Sequence, residues 1–172
     1  MIAPEAILIA GANGSGKTTF ARQVLPLLHP AVPFLNADEI RHEDPRFQSD
    51  VAATRELLRR LQVAESAGNS FAVETTLSSR SYVAKVRHWT ASGYRVVMHF
   101  IAVPSADFAV QRVATRVAMG GHSIPEQDIR RRFERGRRLF DAVYRFEVPE
   151  WYQWFSDSNG LSLVATHGSP KP

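Results

Sequence analysis

At 172 residues, with 44% hydrophobic and 22% charged side chains, the chain suits one globular domain with a sizeable core, and no apolar run approaches the roughly 18 residues of a membrane-spanning helix. The absence of cysteine excludes a disulfide framework and a zinc–cysteine site, which fits a cytoplasmic setting. The formal charge of +4 is carried by arginine, which supplies all but Lys17, Lys85 and Lys171 of the 21 basic residues; it is concentrated late in the chain rather than spread as a long stripe, which argues against a nucleic-acid partner.

The apolar run 6–10 reads as a buried strand, starting so close to Met1 that no signal peptide is expected. A helix follows a glycine-rich segment, with Phe20, Val24, Leu27 and Leu28 in its pattern, and ends near His29 and Pro30. Residues 33–36 form a second, short strand. After a polar loop through Pro45, a helix runs from about 50 to 67 on the stripe Val51, Leu57, Leu58, Leu61 and Ala64, stopped by Gly68 and Asn69. The third strand is 70–75. A helix over 79–92 turns Tyr82, Val83, Val86 and Trp89 to one side, and the fourth strand is 95–103. A helix over 106–119 (Val110, Val113, Val117) stops at Gly120 and Gly121. Ser123 and Glu126, with Pro125 between them, have capping-box form and open a helix to about Tyr144 on Ile129, Phe133 and Phe140. Segments 151–156 and 161–166, joined through Asp157, Ser158, Asn159 and Gly160, predict an antiparallel hairpin whose aromatics, Trp151, Tyr152, Trp154 and Phe155, are mostly core. The last residues read as frayed. Strands alternating with helices predict an α/β fold, a mainly parallel sheet with helices on both faces, as a single domain over residues 1–172.

Gly11, Ala12, Asn13, Gly14, Ser15, Gly16, Lys17 and Thr18 spell the phosphate-binding pattern G-x-x-x-x-G-K-[ST], between a strand and a helix that begins near Thr19. The glycines free backbone N–H groups to converge on phosphate oxygens, Lys17 aims a charge at the β/γ-phosphates, and the Thr18 hydroxyl can ligate Mg²⁺. ATP and Mg²⁺ are therefore the expected cofactors.

In a parallel sheet, ligands gather at the carboxyl ends of the strands. The second strand delivers Asn36, Asp38 and Glu39 there, and the third delivers Glu74, Thr75 and Thr76. Asp38 is the candidate general base toward an acceptor hydroxyl, with helix N-cap as its alternative role, since 37–40 looks like a helix start. Glu39 reads as a solvated first-turn acid. Glu74 is the candidate for a second carboxylate that holds Mg²⁺ through water or orients substrate, or else a structural ion-pair partner. Asn36, Thr75, Thr76 and His122 complete the candidate substrate side, with His122 open between binding and capping.

Arg112 and Arg116 share a helix face four residues apart, and Arg131, Arg135 and Arg138 share another. Two arginine-faced helices joined by the double glycine suggest a lid over about 112–138 that closes on the triphosphate. Its candidate catalytic arginines are Arg116, Arg131, Arg132 and Arg135; a solvated helix face paired with Glu126, Asp128 and Glu134 is the alternative.

In this order, the phosphate loop, the 36–39 and 74–79 segments, and Arg112 through His122 to the 130–138 arginine stretch resemble the zeta-toxin family of P-loop kinases. The resemblance covers nearly the whole chain. It implies a three-layer P-loop NTPase fold resembling nucleoside monophosphate kinases, with an arginine-rich helical lid. It also implies an ATP/Mg²⁺-dependent transfer of the γ-phosphate to a small-molecule hydroxyl, UDP-N-acetylglucosamine in well-known zeta toxins, and a candidate antitoxin partner. By order along the chain, Lys17 matches the family's phosphate-loop lysine, Asp38 its aspartate base and Glu74 its substrate-site glutamate. The rival expectations are a kinase of a nucleoside, an antibiotic or a polynucleotide end; a nucleotide-binding regulator without transfer; and a nucleic-acid-binding module built on the 130–138 arginines.

Overall fold

The computed structural model describes residues 3–168, and the chain end expected to fray lies outside them. One six-stranded sheet runs in the order β2-β3-β1-β4-β5-β6. Its centre is β1 (Glu5–Gly11), parallel to β3 (Phe71–Thr75) and β4 (Arg95–Ala102) on either side. The short β2 (Phe34–Leu35) and β5 (Glu150–Asp157) extend the parallel set, and β6 (Gly160–His167) closes one edge antiparallel. Ala6, Leu8 and Ala10 of β1 enter one apolar cluster while Ile7 and Ile9 enter another, so both faces of the strand are covered. That is why its sequence is a continuous apolar run rather than an alternation.

The expected first helix is two pieces, α1 (Lys17–Gln23) and α2 (Leu25–Leu28). Pro26 has no N–H to continue the ladder, so the helix is interrupted at Val24; its second piece ends at Leu28 with His29 as cap, near Pro30 as expected. After α3 (Ala37–Glu43), α4 (Asp50–Ser66) is capped by the Ser49 hydroxyl, which accepts from Ala52 N–H. Two residues of its predicted stripe are exposed, Val51 at 69% and Leu58 at 51%. The buried side is turned instead to Ala53, Glu56 and Leu61; Glu56 is tolerated there because Arg59 and Arg60 both donate to its carboxylate. Next come α5 (Ser81–Ala91), with Val86 and Trp89 buried as expected, then α6 (Ala106–Ala118) and α7 (Glu126–Leu139).

The double glycine between α6 and α7 forms a helix cap. Gly120 has φ +88°, its N–H reaches Val117 O, and Gly121 N–H reaches Arg116 O, the paired bonds of a Schellman motif. The capping box expected at Ser123 does not form: α7 starts at Glu126, after Pro125 in an extended conformation. A residue before proline is steered out of the helical region, so Ile124 cannot begin the first turn. The long last helix leaves α geometry at Phe140–Tyr144, a π-turn, before the short α8 (Arg145–Glu147). A third cluster of Ala12, Val103, Ala109, Val113, Ile129 and Phe133 ties the phosphate loop to α6 and α7. The expected β5–β6 hairpin is present, with Trp151 buried and Tyr152, Trp154 and Phe155 partly so. No helix among the described residues is long and apolar enough to cross a membrane.

Candidate active site

The loop between β1 and α1 has the backbone its glycines permit. Gly14 sits at φ +78°, where an added Cβ would lie 2.5 Å from Ala109 O, so only glycine lets the loop pack beneath α6. Gly16 caps α1 in the left-handed region at φ +96°. Lys17 is buried, and its ammonium donates to Ala12 O at 2.9 Å, leaving two N–H donors. Burial holds its pKa below the usual lysine value; Glu74 and Asp38 oppose that shift, while Arg116 and Arg132 add to it.

One cavity of about 520 Å³ collects most of the expected side chains: Asn13, Lys17, Thr18, Thr19, Asp38, Glu74, Arg116 and His122 all line it. The two acids arrive as anticipated from neighbouring strand tips. Glu74 Oε2 accepts from the Thr18 hydroxyl and from the Asn36 amide, each at 3.2 Å, which joins loop, β2 and β3. A hydroxyl and a carboxylate are hard oxygen donors suited to Mg²⁺, which is commonly held by one or two protein groups and substrate phosphates. Asn36, not Asp38, is the cap of α3: its side-chain oxygen accepts from Asp38 N–H at 2.7 Å. The Asp38 carboxylate is thereby free to face the cavity, 55% exposed, with Arg41 at 3.2 Å. Glu39 is not simply solvated, since Arg22 donates to it twice.

The other expectations divide. Thr75 and Thr76 do not line the cavity: the Thr75 hydroxyl accepts from Leu77 N–H and the Thr76 hydroxyl pairs with Ser78, so both serve the turn after β3. Arg116 lines the cavity and its Nη2 donates to His122 O, while its Nε is buried in the protein without a partner. Arg132 Nη1 donates to Asn13 Oδ1 at 3.1 Å, touching the phosphate loop itself. Arg131 and Arg135 are exposed and away from the cavity, Arg131 pairing with Asp128 at 2.8 Å. Helical geometry explains the split: Ile129, Phe133 and Gly136 face the core, so Arg132 flanks that face while Arg131 and Arg135 point outward.

Two residues deserve their place on geometry that the sequence only hinted at. Arg112 lines the cavity beside Gly16 and donates to Ser156; its spacing to Arg116 was the available signal. Arg41 bridges Asp38 and Asp50, with a buried, unpartnered Nε; its place three residues after Asp38 on a helix was the only hint.

A phosphate loop at the tip of the central strand, acids on the adjoining tips and an arginine-bearing pair of helices define the three-layer fold of P-loop kinases. The family model described as Zeta toxin matches residues 2–152, and the chain belongs to that family. A chain of the AvrRxo1-ORF1:-ORF2 structure with ATP superposes with a TM-score of 0.72 at 18% identity, covering 96% of this chain and 59% of that one. The present chain thus spans about three fifths of that relative's length. A chain of the PezAT chromosomal toxin–antitoxin system of Streptococcus pneumoniae gives a TM-score of 0.69 at 16% identity, covering 95% and 72%. An uncharacterized Haemophilus influenzae protein is 27% identical over 132 residues, 75% of this chain and 92% of its own. At these identities the structural likeness is one of fold.

Proposed function

We propose that the protein is an ATP- and Mg²⁺-dependent kinase that transfers the γ-phosphate to a hydroxyl of a small molecule, UDP-N-acetylglucosamine being the first acceptor to test. The observation that carries this reading is the single cavity in which Lys17, Thr18, two carboxylates and Arg116 meet. A switch protein needs the phosphate grip; a second, half-exposed acid such as Asp38 is what an acceptor hydroxyl requires.

Lys17, Arg112 and Arg116 neutralise the triphosphate from the lining of the cavity. Thr18 and Glu74 would hold Mg²⁺, which when bound offsets charge on the phosphates. Asp38 orients the acceptor hydroxyl and takes its proton as its oxygen bonds to the γ-phosphorus and the bond to the β–γ bridging oxygen breaks, releasing ADP. His122 and Asn36 sit where they can contact the acceptor or order its surroundings. Family membership also makes an antitoxin protein a candidate partner.

The test incubates the protein with ATP, Mg²⁺ and either UDP-N-acetylglucosamine or a metabolite extract, and reads new phosphorylated species by mass spectrometry. Lys17→Ala and Asp38→Asn should each lower transfer by roughly two to three orders of magnitude. Near-wild-type transfer by Asp38→Asn, or tight ATP binding with no product from the extract, overturns the kinase reading.

A further inference from the structure

Behind the phosphate loop lies a second cavity, of about 430 Å³, which shares no lining residue with the one that holds Asp38 and Glu74. The tips of β4 and β5, α7 and the π-turn wall it, and Ala12 of the loop touches it. Four rings, Phe100, Phe133, Phe140 and Phe155, line it, and Phe100 and Phe140 are stacked at 4.1 Å with only 4° between their planes. Two polar side chains in the lining, the Arg137 guanidinium and the Gln153 amide, have no hydrogen-bond or ion-pair partner among the described residues. Asp141, the acid of the lining, lies 3.8 Å from Arg145.

We propose that this cavity binds a small planar aromatic carboxylate, with its ring among the phenylalanines and its carboxylate on Arg137. Phe100 and Phe140 are closed off by their mutual stacking, so the apolar contact offered to a ring comes from Phe155 and, in smaller part, Phe133. A guanidinium without a counter-ion matches a carboxylate in a two-point fork, and the Gln153 amide supplies a further donor or acceptor. The volume falls in the range of small-molecule sites, roughly 300–1,000 Å³. A polyphosphate does not fit this chemistry, because Arg137 is the lone cation of a lining that also holds the Asp141 carboxylate. The π-turn that carries Phe140 and Asp141 into the wall is a device found often at functional sites.

Titration of the full chain with indole-3-carboxylate, followed by amide NMR shifts, tests the assignment, with neutral indole as the comparison. The acid should saturate a site whose shifts cluster at the β4 and β5 tips and along α7, and should bind about tenfold more tightly than indole. Arg137→Met should erase that preference while leaving indole binding unchanged, and Ala102→Phe, which fills the cavity, should remove both. Arg137 is exposed, so its variant decides the matter even where Ala102→Phe does not fold. No saturation up to the solubility limit of the acid, equal affinities for acid and indole, or a preference that survives Arg137→Met overturns the proposal.

Discussion

The arginines of α6 and α7 separate by what each guanidinium touches. Arg116 lines the cavity and donates to His122 O, and Arg132 binds Asn13 of the loop, whereas Arg131 is occupied by Asp128 and Arg135 faces solvent. Arg116→Ala should therefore lower phosphoryl transfer by roughly two orders of magnitude, and Arg135→Ala should leave it within about threefold, read as kcat/KM for ATP. Equal losses in both variants would mean that the exposed side of α7 is the one that closes on substrate. Arg41 belongs to the same scale. By bonding Asp38 and Asp50 together it fixes where the candidate base points, so Arg41→Met should lower kcat more than it raises KM for the acceptor.

At the scale of elements, α6 ends at a defined cap and not at a loose joint. Gly120 has φ +88°, and its N–H and that of Gly121 close the Schellman bonds onto Val117 and Arg116. Gly120→Ala puts a side chain into that left-handed position and should cost about 1 kcal/mol in urea unfolding. A cost near zero would show that the cap frays in solution. Gly136 does a different service: a Cβ there would stand 2.7 Å from Thr76 O, so the missing side chain lets α7 lie against the turn after β3. Strands and most helices were legible in the sequence because their signals are local: apolar runs for β1, β3 and β4, and the glycine stop after α6. The failures were also local rules, overruled by neighbours. Pro125 cancelled the capping box, Pro26 split the first helix, and arginine pairing let Glu56 take a buried place on α4 that the apolar stripe gave to Val51 and Leu58.

Across the molecule, a chain of buried hydrogen bonds links distant segments beneath the sheet. The Trp154 indole N–H can only donate, so His99 Nδ1 accepts it at 3.2 Å; His99 Nε2–H then donates to His29 Nε2 at 3.0 Å, and His29 Nδ1–H faces Glu5 at 3.2 Å. His99 is neutral in this order, with Arg95 and Tyr152 as further neighbours. Burial, with His29 and Arg95 adding repulsion, holds the His99 pKa down to about 3, against an ordinary value of 6.5. Between those values the unfolded chain binds the proton and the folded chain does not, so stability rises with pH across this window and is lost on acidification. His99 alone should contribute about 2 kcal/mol of loss between pH 7.5 and pH 5, and His99→Phe should remove that increment from urea-unfolding curves at the two pH values. The sequence by itself determined the phosphate loop, the alternation of strand and helix and the two acids at strand tips, because each rests on residues close together in the chain and on side-chain types that only certain positions accept. Only the tertiary structure decided that Asn36 and not Asp38 caps α3, which arginines of α7 face inward, and that His29, His99 and Trp154 share their protons. The last two depend on contacts between segments up to 119 residues apart, as for Arg132 on Asn13, and no local pattern encodes which partner a side chain will meet. The Asn36 cap is itself a contact two residues long, and the distant element in it is Glu74, which holds the other end of the Asn36 amide.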